Sequence, residues 1–117
     1  MTSPNQTKRR ILVLLERTGK ERDAPVWRTA SKLLSGTERT KVEVNLGRIS
    51  RLSEDGQAVL VPGKVLGSGV IDKKVTVGAY SFSASARNKI AAAGGSAISI
   101  PQFVKKFPDG SGVRLVE

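Results

Sequence analysis

Residues 58–82 read AVLVPGKVLGSGVIDKKVTVGAYSF, and they decide the fold because they hold the two clearest strand patterns of the chain. Residues 58–61 form a short apolar run before Pro62-Gly63, which predicts a buried strand that stops at this dipeptide. Residues 75–82 are rich in β-branched and aromatic side chains and predict a second strand. Two strands connected through the glycine-rich segment Gly67-Ser68-Gly69 therefore form the predicted centre of the fold.

Two helices are predicted before this stretch. Ser3 and Gln6 have the spacing of a capping box, and the first helix is expected to end at Gly19. A second amphipathic pattern begins after Asp23 and closes at Gly36. The N-terminal part of the chain, residues 1–36, is therefore predicted to be helical.

Strands and helices alternate in the remainder of the chain. A short strand is expected over residues 42–46, with a helical turn over residues 48–52. Beyond the central stretch, Ser83 is expected to cap a helix, and a further capping box, a short strand over residues 97–98 and a last strand over residues 113–116 follow. The predicted fold class is α/β, an irregular layered strand-strand-helix arrangement with an N-terminal helical segment. We expect one domain, residues 1–117, with its mixed α/β core in residues 37–117.

The composition excludes several classes of function. The chain has 117 residues, 20 Lys and Arg against 10 Asp and Glu, a formal charge of +10, and neither Cys nor His. Zinc fingers, disulfide frameworks, and catalysis by a thiol or an imidazole are therefore excluded. An excess positive charge spread over a small folded chain favours a polyanionic partner, above all a nucleic acid.

No targeting or membrane segment is expected. Five apolar residues, 11–15, follow a basic stretch, but they are too few for a signal peptide, and Glu16-Arg17 come next. No run approaches the roughly 18 apolar residues of a membrane span. A cytoplasmic location without membrane contact is the prediction.

The glycine-rich stretch 63–69 allows three interpretations. Nucleotide binding has the wrong spacing, because Ala58 and Val65 stand where a P-loop needs Gly and a hydroxyl residue, and Asp72 replaces a glycine of the dinucleotide fingerprint. A tight turn between two strands is the second interpretation. The third, which we favour, is close approach of an RNA backbone, with charge supplied at the edges of the stretch by Lys64, Lys73 and Lys74.

Catalysis, metal binding and base stacking on aromatic side chains have little support in the sequence. No His is present to activate a serine, and the carboxylates form no tight cluster, so we predict no catalytic residue and no metal site. The five aromatic side chains are expected mostly in the core rather than as stacking platforms. This favours structured RNA over extended single strands as the partner.

An ordered set of motifs resembles one family. Its parts are EVNLGRI at residues 43–49, VLVPGKVLGSG at residues 59–69, VTV at residues 75–77 and FSASA at residues 82–86. Together they resemble the archaeal and eukaryotic "eighteen-e" ribosomal proteins, which are related to the bacterial large-subunit ribosomal protein fifteen. The match covers residues 24–117, and the short length is typical of archaeal members.

The resemblance implies a structural constituent of the large ribosomal subunit that binds large-subunit ribosomal RNA and supports translation. It implies no enzymatic activity, cofactor or small-molecule substrate, and it adds other large-subunit ribosomal proteins as partners. A small nucleotide-dependent enzyme and a free-standing RNA chaperone are the alternatives that remain.

The RNA-binding residues are predicted from charge, helix starts and the glycine-rich segment. Arg48 and Arg51 are three residues apart and share one helical face, while Ser83 and Ser85 stand at a helix start where an anion is favoured. The full predicted set is Lys8, Arg9, Arg10, Arg17, Arg28, Arg39, Lys41, Asn45, Arg48, Arg51, Lys64, Gly67, Ser68, Gly69, Lys73, Lys74, Ser83, Ser85, Arg87 and Lys89.

Overall fold

A computed structural model describes residues 4–36 and 42–117, with the side chains of the first helix described from residue 8 onward. In these residues the helices are α1 (Pro4–Glu21), α2 (Pro25–Leu34), α3 (Leu46–Leu52), α4 (Ala84–Ala92) and α5 (Ile100–Lys106). The strands are β1 (Glu43–Asn45), β2 (Ala58–Leu66), β3 (Thr76–Phe82), β4 (Ser96–Ser99) and β5 (Val113–Leu115). The predicted Ser3 cap lies outside the described residues.

All described strand pairs are parallel. The strand order is β1-β2-β3-β4, and β5 also pairs with β2. Strand β5 pairs with residues 58–60 of β2, whereas β1 pairs with residues 64–66, so these two short strands follow one another along the same side of β2. This parallel sheet with its crossover helices confirms the predicted α/β class.

A hydrophobic core covers each face of the sheet. Alternate residues of β2 divide between them, since Val59 and Val61 join the core that includes α3 and α4, while Leu60 joins the core that includes α1, α2 and α5. Trp27 and Phe103 are fully buried in the second core, with ring centroids 6.0 Å apart. Because strands covered on both faces carry apolar runs, the run at residues 58–61 has a direct structural explanation.

The prediction that β2 stops at Pro62-Gly63 is wrong. The strand continues to Leu66, and its register with β3 shifts between Val61 and Lys64. This bulge takes the proline out of regular pairing, so its missing N–H costs no ladder bond. A Cβ on Gly63 would collide with the backbone of Val42, which explains the need for glycine beside β1.

The prediction that Gly19 ends the first helix is also wrong. Helix α1 continues to Glu21, and a Cβ at Gly19 would lie 2.6 Å from Cγ of Arg28 in α2. The glycine therefore allows α1 and α2 to approach closely. The helix is terminated instead by Asp23, which has a φ of 50°, and the N–H of Ala24 donates to the carbonyl of Gly19 at 3.0 Å.

The caps predicted for the later helices are confirmed. The Ser83 hydroxyl accepts from the N–H of Ala86 at 3.1 Å, at the start of α4. Ser99 and Gln102 form the reciprocal capping box of α5. These local motifs determine where the two helices begin, and hence where their side chains lie relative to the sheet.

Candidate nucleic-acid interface

The carboxyl edge of the sheet brings several predicted site residues together. Because the strands are parallel, their carboxyl ends lie at one edge, and α3, α4 and α5 all begin there. Residues 67–69, called the glycine loop below, follow β2 at this edge. Since β3 begins only at Thr76, the glycine loop is part of a longer connection and not a tight turn between the two strands.

The glycine loop is held from two sides by hydrogen bonds. The N–H of Gly47, in the first turn of α3, donates to the carbonyl of Ser68 at 3.1 Å. The ammonium of Lys89 on α4 donates to the carbonyls of Gly67 and Gly69 at 2.6 and 3.1 Å. The loop is therefore fixed between two helices, and Lys89 uses at least two of its three donors on the protein itself.

Packing also requires glycine at both ends of the loop. A Cβ on Gly67 would lie 2.7 Å from Cβ of Ser85. Gly69 has a φ of 91°, and a Cβ there would lie 2.7 Å from both N and Cα of Gly47. Neither glycine can be replaced without moving backbone or the start of α4.

The three lysines expected around the glycine loop differ in their surroundings. The ammonium of Lys73 donates to the carbonyls of Ser50 and Ser53, at 2.5 and 2.6 Å, at the C-terminal end of α3. There it satisfies carbonyl groups that have no partner within the helix. Lys74 is exposed, and the side chain of Lys64 on β2 is half-buried. The structure therefore places Lys73 in a helix cap, and Lys74, whose carbonyl accepts from the N–H of Gly56 ahead of β2, at the edge where the strands begin.

Other predicted residues at this edge also contact the protein. The guanidinium of Arg48 donates through Nε to the main-chain oxygen of Glu117 at 2.9 Å. Arg87 lies over the ring of Phe82, 5.7 Å from its centroid. The cap residue Asn45 is exposed, and its side chain makes no capping hydrogen bond. Arg51 is exposed in the last turn of α3, which leads away from this edge.

A second group of predicted residues lies on the two N-terminal helices. Arg17 of α1 and Arg28 of α2 line one groove of about 530 Å³, here called the α1–α2 groove, with Leu12, Val13, Glu16 and Lys20. Arg9 and Arg10 are exposed on the preceding turns of α1, and Lys8 is half-buried. Helical periodicity in α1 and the crossing of α2 thus bring separate basic residues onto one surface.

Positive charge on this surface has few acidic partners. Between described residues, the only salt bridge joins Arg22 to Asp109 at 3.3 Å, and both side chains are largely exposed.

No group of three acidic residues that could hold a metal ion occurs in the described ranges. No helix within residues 4–36 or 42–117 is long and apolar enough to cross a membrane.

Several exposed cations were not among the predicted site residues. Lys20 lines the α1–α2 groove, Lys32 lies in the last turn of α2, and Lys105 and Lys106 end α5. Arg114 is exposed on β5. Lysines in a last helical turn are also explained by the helix dipole, as are the predicted residues Arg51 and Lys89, so this position does not distinguish an RNA contact from a structural role. The predicted residues Arg39 and Lys41 lie outside the described residues.

Comparison with known proteins identifies the family. The chain is a small, basic α/β protein whose described residues contain no metal-binding cluster. A family model that describes the ribosomal proteins 50S-L15 and 50S-L18e, together with a 60S counterpart, matches residues 35–98, more than half of the chain. The chain belongs to this ribosomal protein family, which confirms the resemblance seen in its motifs.

Individual relatives extend this match to almost the full length. The protein named "Large ribosomal subunit protein eL18" from Methanoregula boonei is 43% identical over 115 residues, 98% of this chain and 93% of that protein. Proteins of the same name from Archaeoglobus fulgidus and Pyrobaculum aerophilum are 45% identical over 106 residues and 37% over 116 residues. These two alignments cover 91% and 98% of this chain and 90% and 95% of the relatives.

Family membership decides the broad role. The chain is a structural ribosomal protein and not an enzyme, and it acts in translation within the ribosome, a cytoplasmic particle. The expected cytoplasmic location and the absence of enzymatic function agree with this family.

Proposed function

We propose that this protein is a structural constituent of the large ribosomal subunit that binds large-subunit ribosomal RNA. The observation that carries the proposal is the exposed, largely unpaired set of basic side chains on α1 and α2, centred on the α1–α2 groove. Cations of this kind neutralise phosphates and release counterions, which supplies affinity for folded RNA. The relatives named for the large subunit support the choice of RNA.

The glycine loop is the second proposed contact. It is held by three hydrogen bonds and has no side chain larger than that of serine, so an RNA backbone can come close to its main chain. Lys64, Asn45, Ser83, Ser85 and Arg87 are proposed to contribute around the same edge of the sheet. Lys74, which precedes β3, and Arg51, in the last turn of α3, are proposed as RNA contacts nearer the opposite edge, where the strands begin. Lys73, Lys89 and Arg48 contribute by stabilising the fold, because their side chains donate to main-chain oxygens.

The first test measures affinity of the full chain for fragments of large-subunit ribosomal RNA as a function of salt. Contacts to about six to ten phosphates would lower the affinity by about 10³–10⁵ between 50 and 200 mM salt. A flat dependence, or equal affinity for small-subunit ribosomal RNA at physiological salt, would contradict the proposal.

Paired variants locate the contact. Arg17→Gln with Arg28→Gln removes two charges at the α1–α2 groove but keeps long side chains over the helices. The slope of log affinity against log salt should decrease by about one for each phosphate that the variant no longer neutralises. Lys105→Gln with Lys106→Gln removes the same charge from α5 and should leave the slope near the wild-type value. Equal decreases of this slope in both double variants would show that the affinity depends on net charge and not on the α1–α2 groove.

A further inference from the structure

We propose that the hollow between the carboxyl ends of β3 and β4 binds one unpaired nucleobase of the RNA, with the Arg87 guanidinium as the stacking surface and the Gln102 amide as the hydrogen-bond donor. The inference rests on the proposed function for the source of the base. It assigns a contact to a base, whereas the cations on α1 and α2 are proposed to contact phosphates.

The hollow lies where the helices that follow the two strands separate, and it is called the β3–β4 hollow below. Strand β3 continues into α4, which packs in one core, whereas β4 continues into α5, which packs in the core on the opposite face. Ligands of open parallel sheets bind at such a point, outside the carboxyl ends of the strands. The pairing between β3 and β4 ends at Ala79 and Ser99, although β3 extends to Phe82, so β4 does not cover the last residues of β3.

The size and the lining of the β3–β4 hollow fit a flat ring. Its volume is about 200 Å³, below the roughly 300–1,000 Å³ of pockets for drug-sized ligands, so it takes a smaller group such as one base. Half-buried apolar and aromatic side chains share its wall with polar groups, and a phosphate would have to lie against these apolar groups. The side chains that line it include those of Tyr80, Phe82, Arg87, Ile98, Ser99 and Gln102.

Arg87 supplies the stacking surface. Its guanidinium carbon lies 5.7 Å from the ring centroid of Phe82, and this half-buried ring supports the exposed guanidinium at the wall of the hollow. Proteins stack unpaired RNA bases on guanidinium planes and on aromatic rings. A base that enters the β3–β4 hollow therefore meets a surface of this kind.

Gln102 supplies the donor. The N–H and the hydroxyl of Ser99 donate to Oε1 of Gln102 at 3.1 and 3.2 Å, so the capping box fixes which side of the amide carries the oxygen. The NH₂ group keeps two donors that the capping box does not use. Nucleobases carry ring-nitrogen and carbonyl acceptors on their edges, so a base stacked on Arg87 can accept from this group.

The first test follows the isotope-labelled full chain by NMR during titration with adenosine monophosphate. Ribose phosphate is the matched probe that carries the phosphate without the base. The nucleotide should shift the ring signals of Phe82, the methyl signals of Ile98 and the side-chain amide signal of Gln102 until saturation, and ribose phosphate should leave them in place. No shift with the nucleotide, or equal shifts with both probes, would overturn the proposal.

A pair of variants separates binding from capping. Gln102→Glu keeps an oxygen that accepts from Ser99, so the capping box remains, but it removes the NH₂ donors and should abolish the shifts of Phe82 and Ile98. Asn88→Asp makes the same chemical change at an exposed position of α4 outside the hollow and should keep the wild-type response. Equal loss in both variants would overturn the role of Gln102.

The RNA test uses a variant that keeps the charge. Arg87→Lys removes the planar guanidinium and should lower affinity for large-subunit ribosomal RNA about tenfold at every salt concentration, without changing the salt slope. Arg114→Lys, at an exposed residue of β5, should keep the wild-type affinity. Wild-type affinity in Arg87→Lys, or an equal decrease in both variants, would overturn the stacking role.

The outcome is separable from that of the proposed function. A β3–β4 hollow that does not respond to the nucleotide, together with steep salt-dependent RNA affinity, would overturn the base site alone. Nucleotide shifts without affinity for large-subunit ribosomal RNA would support the base site and contradict the proposed function.

Discussion

Replacing Gly69 by alanine should destabilise the protein far more than replacing Gly56, although both have positive φ angles. These angles are 91° and 83°, so both alanines adopt an unfavourable left-handed conformation, at about 1–2 kcal/mol each. The difference lies in the surroundings of the new Cβ. At Gly69 it would lie 2.7 Å from two backbone atoms of Gly47, whereas at Gly56 it meets nothing within 4 Å.

The magnitude of the difference follows from this contact. Overpacking against a fixed group costs about 1–3 kcal/mol, and the backbone of α3 cannot move as a flexible side chain would. Gly69→Ala should therefore lower the free energy of unfolding by about 2 kcal/mol more than Gly56→Ala. At about 4 °C per kcal/mol for a chain of this size, the two melting temperatures should differ by about 8 °C.

Urea unfolding of both variants, monitored by circular dichroism, is the appropriate assay. Similar denaturant slopes would show that both transitions report the same unfolding reaction. A difference in unfolding free energy below about 0.5 kcal/mol, the usual error of additivity, would refute the view that the glycine loop is wedged against α3.

Three further substitutions test other contacts. Lys73→Met should lower the unfolding free energy by about 1–2 kcal/mol, because the last carbonyls of α3 lose their charged donor. The control Lys74→Met, at an exposed lysine, should change it by less than about 0.5 kcal/mol, and equal values in urea unfolding would contradict the helix-capping role of Lys73. Ser99→Ala should lower the unfolding free energy by about 1 kcal/mol through loss of the α5 capping box, and no change in melting temperature would contradict it. Gly78→Ala should cost about 1–3 kcal/mol because its Cβ would meet the ring of Phe103, and partial recovery by adding Phe103→Leu in a double-mutant cycle is the check.

The positive charges of this chain serve two purposes that look alike in the sequence. Lys73 and Lys89 donate to backbone carbonyls 20–23 residues away along the chain, and so they stabilise α3 and the glycine loop. Arg17 and Arg28 lie along the α1–α2 groove without such bonds among the described residues. By charge alone all four residues are equal candidates for RNA contact, because the charge does not show which groups each ammonium or guanidinium contacts in the fold.

Features that depend on residues close along the chain were predicted correctly, and features that depend on contacts between distant segments were missed. The starts of α4 and α5 were predicted because a hydroxyl and the N–H group that it caps lie within three residues of each other. Strand β3 was predicted from its β-branched and aromatic residue types, and of these Val77 lies in the core that includes α3 and α4. The continuation of β2 through Pro62 was missed, because it depends on a shifted register with β3 and on the backbone of Val42.

By itself, the sequence determined the family, the α/β class, the net positive charge and the local starts of helices, since motifs, composition and caps involve residues close along the chain. Only the tertiary structure decided that Gly19 lies inside a helix, and that Lys89 and Gly47 fix the glycine loop between α4 and α3. The physical reason is that glycine packing and side-chain hydrogen bonds depend on which distant segments meet. These tertiary contacts form only when the parallel sheet has brought the carboxyl ends of its strands to one edge.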